Sequence, residues 1–283
     1  MKTRKRAAVA SMPRVAPTVA ARAPIVTMLS DFGERDGFVG VMRGVMLGIS
    51  PSARFVDLTH EIPPQDIVAG ALVLAAAVPH FPKGTIHLAV VDPGVGSERR
   101  PLLIETEDFV LVGPDNGLLS LAAARSPVRR VVVLDRETYH LAERSRTFHG
   151  RDIFAPAAAH CANGVAPSEA GSAVETFERL SIPRPRRLED GLEAHVIHVD
   201  RFGNLVCNVE RADLADFRDS RVSISIGAVT IAEISPHYAA VRDGKPLALW
   251  NSWDRLEIAV RNGSAARQIR ARVGDRVQLK RSR

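Results

Sequence analysis

Thr85-Ile86-His87-Leu88-Ala89-Val90-Val91 runs into Asp92-Pro93-Gly94-Val95-Gly96-Ser97-Glu98-Arg99-Arg100. The first part is strand-forming and carries apolar residues on both faces. A strand buried on both faces belongs inside a parallel sheet covered by helices. The run stops at a carboxylate, turns through Pro93, Gly94 and Gly96, and reaches an arginine pair. In open α/β sheets, ligands bind beyond the carboxyl ends of the strands. Asp92 and Arg99 therefore occupy the part of such a fold that carries chemistry.

The flanking chain repeats the alternation. Ile25 to Leu29 and Arg54 to Leu58 read as strands, with an amphipathic helix from Gly37 to Ile49 between them. Asp66 to Val78 reads as an Ala/Leu-rich helix whose N-terminus Asp66 favours. Leu102 to Ile104, Phe109 to Val112 and Val131 to Leu134 read as strands, and Asp152 to Cys161 as a helix ending at Asn163-Gly164. This pattern predicts an α/β layered domain with a mostly parallel sheet over residues 24–165. Pro167, Pro183, Pro185 and the Arg184, Arg186, Arg187 cluster mark residues 166–191 as a linker with a solvated charge run. Short strands follow: Glu193 to Val199, Leu205 to Val209, Val222 to Ile226, Val229 to Ile234, Leu247 to Trp250, Leu256 to Val260 and Val277 to Leu279. Residues 192–283 are expected to form a smaller, antiparallel β-barrel-like domain.

The chain has 283 residues, enough for one large or two medium domains. Aromatic residues make up 5%, too few for a base-stacking surface. The formal net charge is +6, but Met1 to Ala23 holds six Lys/Arg and no acid, so the rest is close to neutral. Nucleic acid is not an expected partner. Residues 1–23 read as a disordered basic tail, although their Arg/Ala-rich character is also that of organelle transit peptides. No segment reads as a membrane span. Cys161 and Cys207 lack metal-ligand spacing and read as reduced thiols of a cytoplasmic protein.

Polar clusters recur at the strand ends. They are Ser30-Asp31-Phe32-Gly33-Glu34-Arg35-Asp36, Asp57-Leu58-Thr59-His60-Glu61, Asp92 with its turn, Gly113-Pro114-Asp115-Asn116-Gly117, and Thr147-Phe148-His149-Gly150-Arg151-Asp152. Each alone fits a plain turn. Together on one sheet edge they mark an active site. Gly94-Val95-Gly96 lacks the third spaced glycine of a dinucleotide site, and no Gly-Lys-Ser/Thr phosphate loop is present. Two chemistries stay open. Asp31, Asp57, His60, Asp92 and His149 have the donor atoms for a metal-dependent phosphoesterase, though no His-x-His or His-x-x-Glu-His spacing anchors a metal. A metal-free Asp/Arg/His set would instead prepare water or another small nucleophile.

These clusters, followed by Asp200-Arg201-Phe202-Gly203-Asn204, occur in a fixed order. The combination resembles the S-adenosylmethionine hydroxide adenosyltransferases, the adenosine-forming S-adenosylmethionine hydrolases, relatives of the fluorinases and chlorinases. The similarity runs from Pro24 to Val260 or beyond. It implies an N-terminal α/β domain, a C-terminal β-barrel-like domain and a homotrimer. The small-molecule substrate would lie between the N-terminal domain of one subunit and the C-terminal domain of the next. The implied reaction converts S-adenosyl-L-methionine and water to adenosine and L-methionine, with no cofactor and no metal. The alternatives are a halide-using adenosyltransferase of the same fold, the phosphoesterase above, and a non-catalytic adenosine or S-adenosylmethionine binding protein.

By the same resemblance, Asp92, Arg99 and His149 form the catalytic set. Asp31 would grip the ribose diol, and Asp36 would lie near the methionine end. Phe148 and Phe202 would wall the nucleoside. Asp200, Asn204, Asn251 and Ser252 would hold methionine or nearby parts of the ligand. Glu257, Val260 and the Asn262-Gly263-Ser264-Ala265-Ala266 turn, Ser264 and Ala265 included, would lie on the adenine side. Leu256 to Ala259 also reads as plain strand. Three departures favour water over halide. Gly150 stands where a fluorinase uses serine, the segment from Asp92 to Phe109 lacks the fluorinase insertion, and Val206 replaces an aromatic of some relatives.

Overall fold

The structure is a computed structural model that describes residues 23–217 and 221–282. The expected tail, up to residue 22, lies outside the described residues. Strand β1 (Ile25–Ser30) leads into helix α1 (Phe38–Ile49), strand β2 (Arg54–Thr59), helix α2 (Ile67–Ala77) and strand β3 (Thr85–Val90). A hairpin follows, β4 (Pro101–Thr106) and β5 (Phe109–Pro114). Then come α3 (Ser120–Ala123), β6 (Val128–Val133), α4 (Ala155–Ala162) and β7 (Ser172–Ala173). These strands form one sheet in the order β2-β1-β3-β5-β4-β6-β7. β2, β1, β3 and β5 are parallel neighbours. β6 points the same way, because it is antiparallel to β4, which is antiparallel to β5. The sheet is therefore mostly parallel, with β4 and β7 reversed.

β3 is buried at every position, as apolar residues on both faces require. Each buried large aliphatic side chain there contributes about 1.5–3 kcal/mol. α1 turns Val39, Met42 and Met46 toward the sheet, a helical spacing, and shares that core with Phe154 and Ala158. On the opposite face Leu74 of α2 and Ala122 of α3 meet Leu29 and Leu102. Asp66 caps α2, accepting from Ala69 N at 2.9 Å. Helices thus cover both faces of the sheet. The chain order reverses between β1 and β3, since β1 connects to β2 on one side and β2 returns to β3 on the other. Ser30 and Val90 end these two strands in register. Such a switch opens a crevice at the sheet edge.

The next strands are β8 (Arg186–Arg187), β9 (Gly191–Val199), β10 (Leu205–Glu210), β11 (Arg221–Ile226), β12 (Val229–Ile231), β13 (Pro246–Trp250) and β14 (Arg255–Val260). Helix α5 (Ala265–Ile269) and β15 (Arg276–Ser282) complete the chain. They form an antiparallel sheet ordered β12-β11-β15-β9-β10-β14-β13, with β8 added to β9. A bridge between Ile234 and Ala248 draws the two edges together, so the sheet is a nearly closed barrel. Leu192, Val196, Leu205, Cys207 and Ile258 fill it. Both cysteines are free. Among the described residues no helix is long and apolar enough to cross a membrane.

Local differences from the sequence expectations have physical causes. The helix expected from Asp152 starts as a π-helical turn, Gly150–Phe154, and becomes α-helical at Ala155. The wider turn holds a fully buried Asp152, whose partners are the adjacent Arg151 and Ser145 N of a neighbouring loop. The strand expected to reach Ile234 stops at Ile231, where the chain peels toward β13. The turn expected at Asn262 to Ala266 continues as α5, because Ser264 caps it by accepting from Arg267 N at 3.3 Å.

Candidate active site

Asn116 Nδ2 donates to Val91 O at 2.9 Å and fixes the exit from β3. The loop then folds on itself, with Val95 N donating to Asp92 O at 3.2 Å and Ser97 N to Gly94 O at 3.0 Å. This return brings Arg99 back onto Asp92. Arg99 Nε donates to Asp92 Oδ1 at 2.9 Å, and Nη2 donates to Oδ2. A forked guanidinium matches a carboxylate in this way. The same Nη2 donates to His149 Nδ1 at 2.8 Å. The Asp92 and Arg99 side chains are 5% and 9% exposed, so their attraction is little screened. The Phe154 ring lies 5.2 Å from the guanidinium and adds a cation–π contact. Arg100 turns elsewhere, donating to Asp115 Oδ2 at 2.7 Å and Thr176 O at 2.9 Å. Only the first arginine of the pair enters the cluster.

Arg99 occupies Nδ1 of His149 as a donor, so the neutral imidazole carries its proton on Nε2. Burial, then the Arg99 charge, holds the imidazole below its ordinary pKa. Asp92 and His149 line a cavity of about 120 Å³ with Val95, Phe32, Phe38 and Phe148. Phe38 and Phe148 meet edge to face at 5.2 Å. Asp152 holds the loop before His149, accepting from Ser145 N at 2.7 Å and Arg151 Nε at 2.5 Å. Gly96 lets this loop meet the Asp92 loop. Its φ is 78°, and a Cβ there would fall 2.5 Å from Arg146 O.

Asp31 follows β1 at the same sheet edge, and its Oδ2 accepts from Gln65 N at 2.8 Å. Asp36 is exposed. Asp57 and His60 bond each other at 3.0 Å rather than turning to Asp92. Among the described residues no three His, Cys, Asp or Glu side chains gather in a group that could hold a metal ion.

The other predicted residues gather on the second sheet. Asp200 Oδ1 accepts from Phe202 N at 2.9 Å and Asn204 N at 2.8 Å, and Oδ2 accepts from Asn204 Nδ2 at 3.0 Å. These bonds shape a turn whose tip, Phe202, is 75% exposed. Phe202, Asn204, Val260, Gly263 and Tyr238 line a cavity of about 680 Å³. Glu257 accepts from Tyr238 Oη at 2.7 Å and Asn251 Nδ2 at 3.2 Å, while burial pushes its carboxyl up. Ser264 caps α5, Ala265 is buried and Ser252 is exposed. The structure therefore brings Asp92, Arg99, His149 and Phe148 together, and collects Phe202, Asn204 and Val260 around a different cavity, with Asp200 bracing the turn that carries the first two. Phe38 and Tyr238 are among the lining residues that escape the sequence reading. Phe38 looks like an ordinary helix residue, although it follows a polar cluster directly. Tyr238 meets Glu257 from 19 positions away, with no local signal.

Residues 26–171 match the family model of the SAM hydroxide adenosyltransferase N-terminal domain, and residues 194–278 match that of the C-terminal domain. The chain belongs to the SAM hydroxide adenosyltransferase family. It is 41% identical over 262 residues to the (R)-S-adenosyl-L-methionine hydrolase of Salinispora tropica, across 90% of this chain and 97% of that protein. A fluorinase from Nocardia brasiliensis is 24% identical over 296 residues, across 93% and 99% of the two chains. The crystal structure of an uncharacterized conserved protein from Thermotoga maritima aligns with a TM-score of 0.84 at 31% identity, across 90% of this chain and 100% of that one.

Proposed function

We propose that the protein hydrolyses S-adenosyl-L-methionine to adenosine and L-methionine in the cytoplasm, without a cofactor. Following the names of its relatives, the (R) form is the one consumed. The observation that carries this reading is the Asp92–Arg99–His149 cluster, a nearly covered ion pair with a half-buried imidazole, on the wall of a cavity at the switch point of the sheet. The water oxygen attacks the ribose 5′ carbon in line with the carbon–sulfur bond. Methionine leaves as a neutral thioether, so no acid is needed at sulfur. The difficulty is the water, which must lose a proton as it attacks. With Nδ1 filled by Arg99, His149 offers Nε2–H to the oxygen and does not take the proton. Asp92 retains lone pairs that Arg99 does not occupy, and draws on the proton through them. Alignment of oxygen, carbon and sulfur supplies the rest. Gly150 supports water over halide. A Cβ there would meet Met42 Sδ at 3.2 Å and the Phe148 and Phe32 rings at 3.4 Å, so the serine of a fluorinase would crowd its neighbours.

The homotrimer is part of the same proposal. Small-molecule pockets run to roughly 300–1,000 Å³. The cavity beside Asp92 is about 120 Å³, whereas that beside Phe202 is about 680 Å³. Apposing the Asp92 edge of one subunit to the Phe202 turn of the next joins them into one site. The cytoplasmic assignment draws on the two free cysteines.

The test is a chromatographic assay of the purified protein on each sulfonium epimer, with and without halide and chelator. Adenosine and methionine should appear in equal amounts from the (R) form, undiminished by chelator. A halogenated deoxyadenosine as main product would select halide transfer. Binding without turnover would select a binding protein, and loss of activity in chelator a metal-dependent enzyme.

A further inference from the structure

A hydrogen-bond chain runs beside the cluster without joining it. Arg43 of α1 donates to Asp57 Oδ2 on β2. Asp57 Oδ1 lies 3.0 Å from His60 Nε2, and His60 Nδ1 lies 2.8 Å from Ser30 Oγ, on the last residue of β1. Ser30 Oγ accepts from Phe32 N at 3.3 Å, and His60 O accepts from Gly33 N at 2.8 Å. Chemistry fixes the protons. The guanidinium only donates, so Asp57 accepts. His60 Nε2 then donates to Asp57, and in the tautomer with one ring proton Nδ1 accepts from the Ser30 hydroxyl. The Ser30 lone pairs stay available to Phe32 N–H.

The order Ser–His–Asp is that of a hydrolytic triad. Ser30 and His60 are only 2% and 3% exposed, so this serine lies beneath its own loop, out of reach of a substrate. The set grips the loop instead. Ser30 Oγ holds the N–H of Phe32, the residue after Asp31, and the main-chain carbonyl of His60 holds the N–H of Gly33. From the other side, Gln65 N holds Asp31 Oδ2, while Oδ1 has no protein partner among the described residues.

We propose that His60 is the positioning residue for Asp31: through Ser30 its ring pins the Phe32 N–H, beside its own main-chain bond to Gly33, and aims the Asp31 carboxylate at the ribose diol. This rests on Asp31 being the diol ligand in the proposed reaction. Loss of the ring leaves the Ser30 hydroxyl without its acceptor and Asp57 with Arg43 alone, and so loosens the loop. The penalty then falls on substrate binding rather than on the Asp92 chemistry.

KM and kcat are measured for His60→Ala, Ser30→Ala, their double variant and Asp31→Ala, on S-adenosylmethionine and its 2′-deoxy analogue. Circular dichroism and melting temperature report the fold. In His60→Ala, KM should rise about tenfold, the scale of one buried hydrogen bond, with kcat within about twofold. The double variant should be little worse than His60→Ala, because the two residues act as one chain. The penalty should shrink on the 2′-deoxy analogue, which lacks the complete diol. His60→Gln, with a donor and an acceptor, should recover most of the loss. Should His60→Ala fail to fold, Asp57→Ala at the more exposed end carries the test with a smaller rise in KM. An unchanged KM in folded His60→Ala, beside a raised KM in Asp31→Ala, overturns the proposal and leaves the diol reading intact. A loss in kcat alone overturns it too. An unchanged KM in Asp31→Ala overturns the diol reading itself and takes the proposal with it.

Discussion

One nitrogen of Arg99 sets the protonation pattern of the site. Its Nη2 donates to both Asp92 and His149 Nδ1. Protonating His149 at Nδ1 would set one N–H against another and break that contact. The imidazole must therefore be neutral for the cluster to hold. Burial and the Arg99 charge hold its pKa below 6.5. The neutral form is present above this lowered value and is lost as pH falls through it. The acid limb of the kcat–pH profile should accordingly lie below pH 6.5. A limb at or above that value would contradict a neutral His149. The donor types at Asp92, Arg99 and His149 were legible from residue identity. The direction of each hydrogen bond was not, because it depends on which atoms face one another.

At the scale of elements, two loops must touch for the cluster to form. The Asp92 loop and the loop before His149 meet at Gly96, where a Cβ would fall 2.5 Å from Arg146 O. Gly96→Ala should displace one loop against the other. Misplacement of about 1 Å can cost on the order of 100-fold in rate, so kcat should fall tenfold or more. Gly96 is exposed, and the core beneath β3 is untouched, so the melting temperature should change little. Wild-type turnover in this variant would mean that the loop contact does not position the cluster. β3 was readable because its apolar residues leave neither face for water. α5 was not, because a five-residue helix shows almost no periodicity and depends on its Ser264 cap. The π-helical turn was equally hidden, since Asp152 is paired with Ser145 of a neighbouring loop.

The whole molecule sets the two cavities apart, one at the edge of the first sheet and one on the barrel. If neighbouring subunits complete each site, two inactive variants should complement each other. Asp92→Ala should remove the chemistry of one half of the site and retain substrate binding. Phe202→Ala, at a 75% exposed tip, impairs the other half without disturbing a core. Co-expressed, these variants should form mixed trimers with some intact sites and recover part of the wild-type activity. Light scattering should report three chains per particle. Trimers that stay inactive on mixing would place each site within a single subunit.

The sequence by itself determined the α/β class, the barrel-like second sheet and the set of loops that crowd one sheet edge. Those features follow from local periodicity and from turn residues whose backbone needs are intrinsic. Tertiary structure alone decided which loops touch. Arg99 reaches His149 from 50 positions away, and Ser30 reaches His60 from 30. Strand order, through the reversal between β1 and β3, makes such distant groups neighbours, and no local preference of the chain encodes that order.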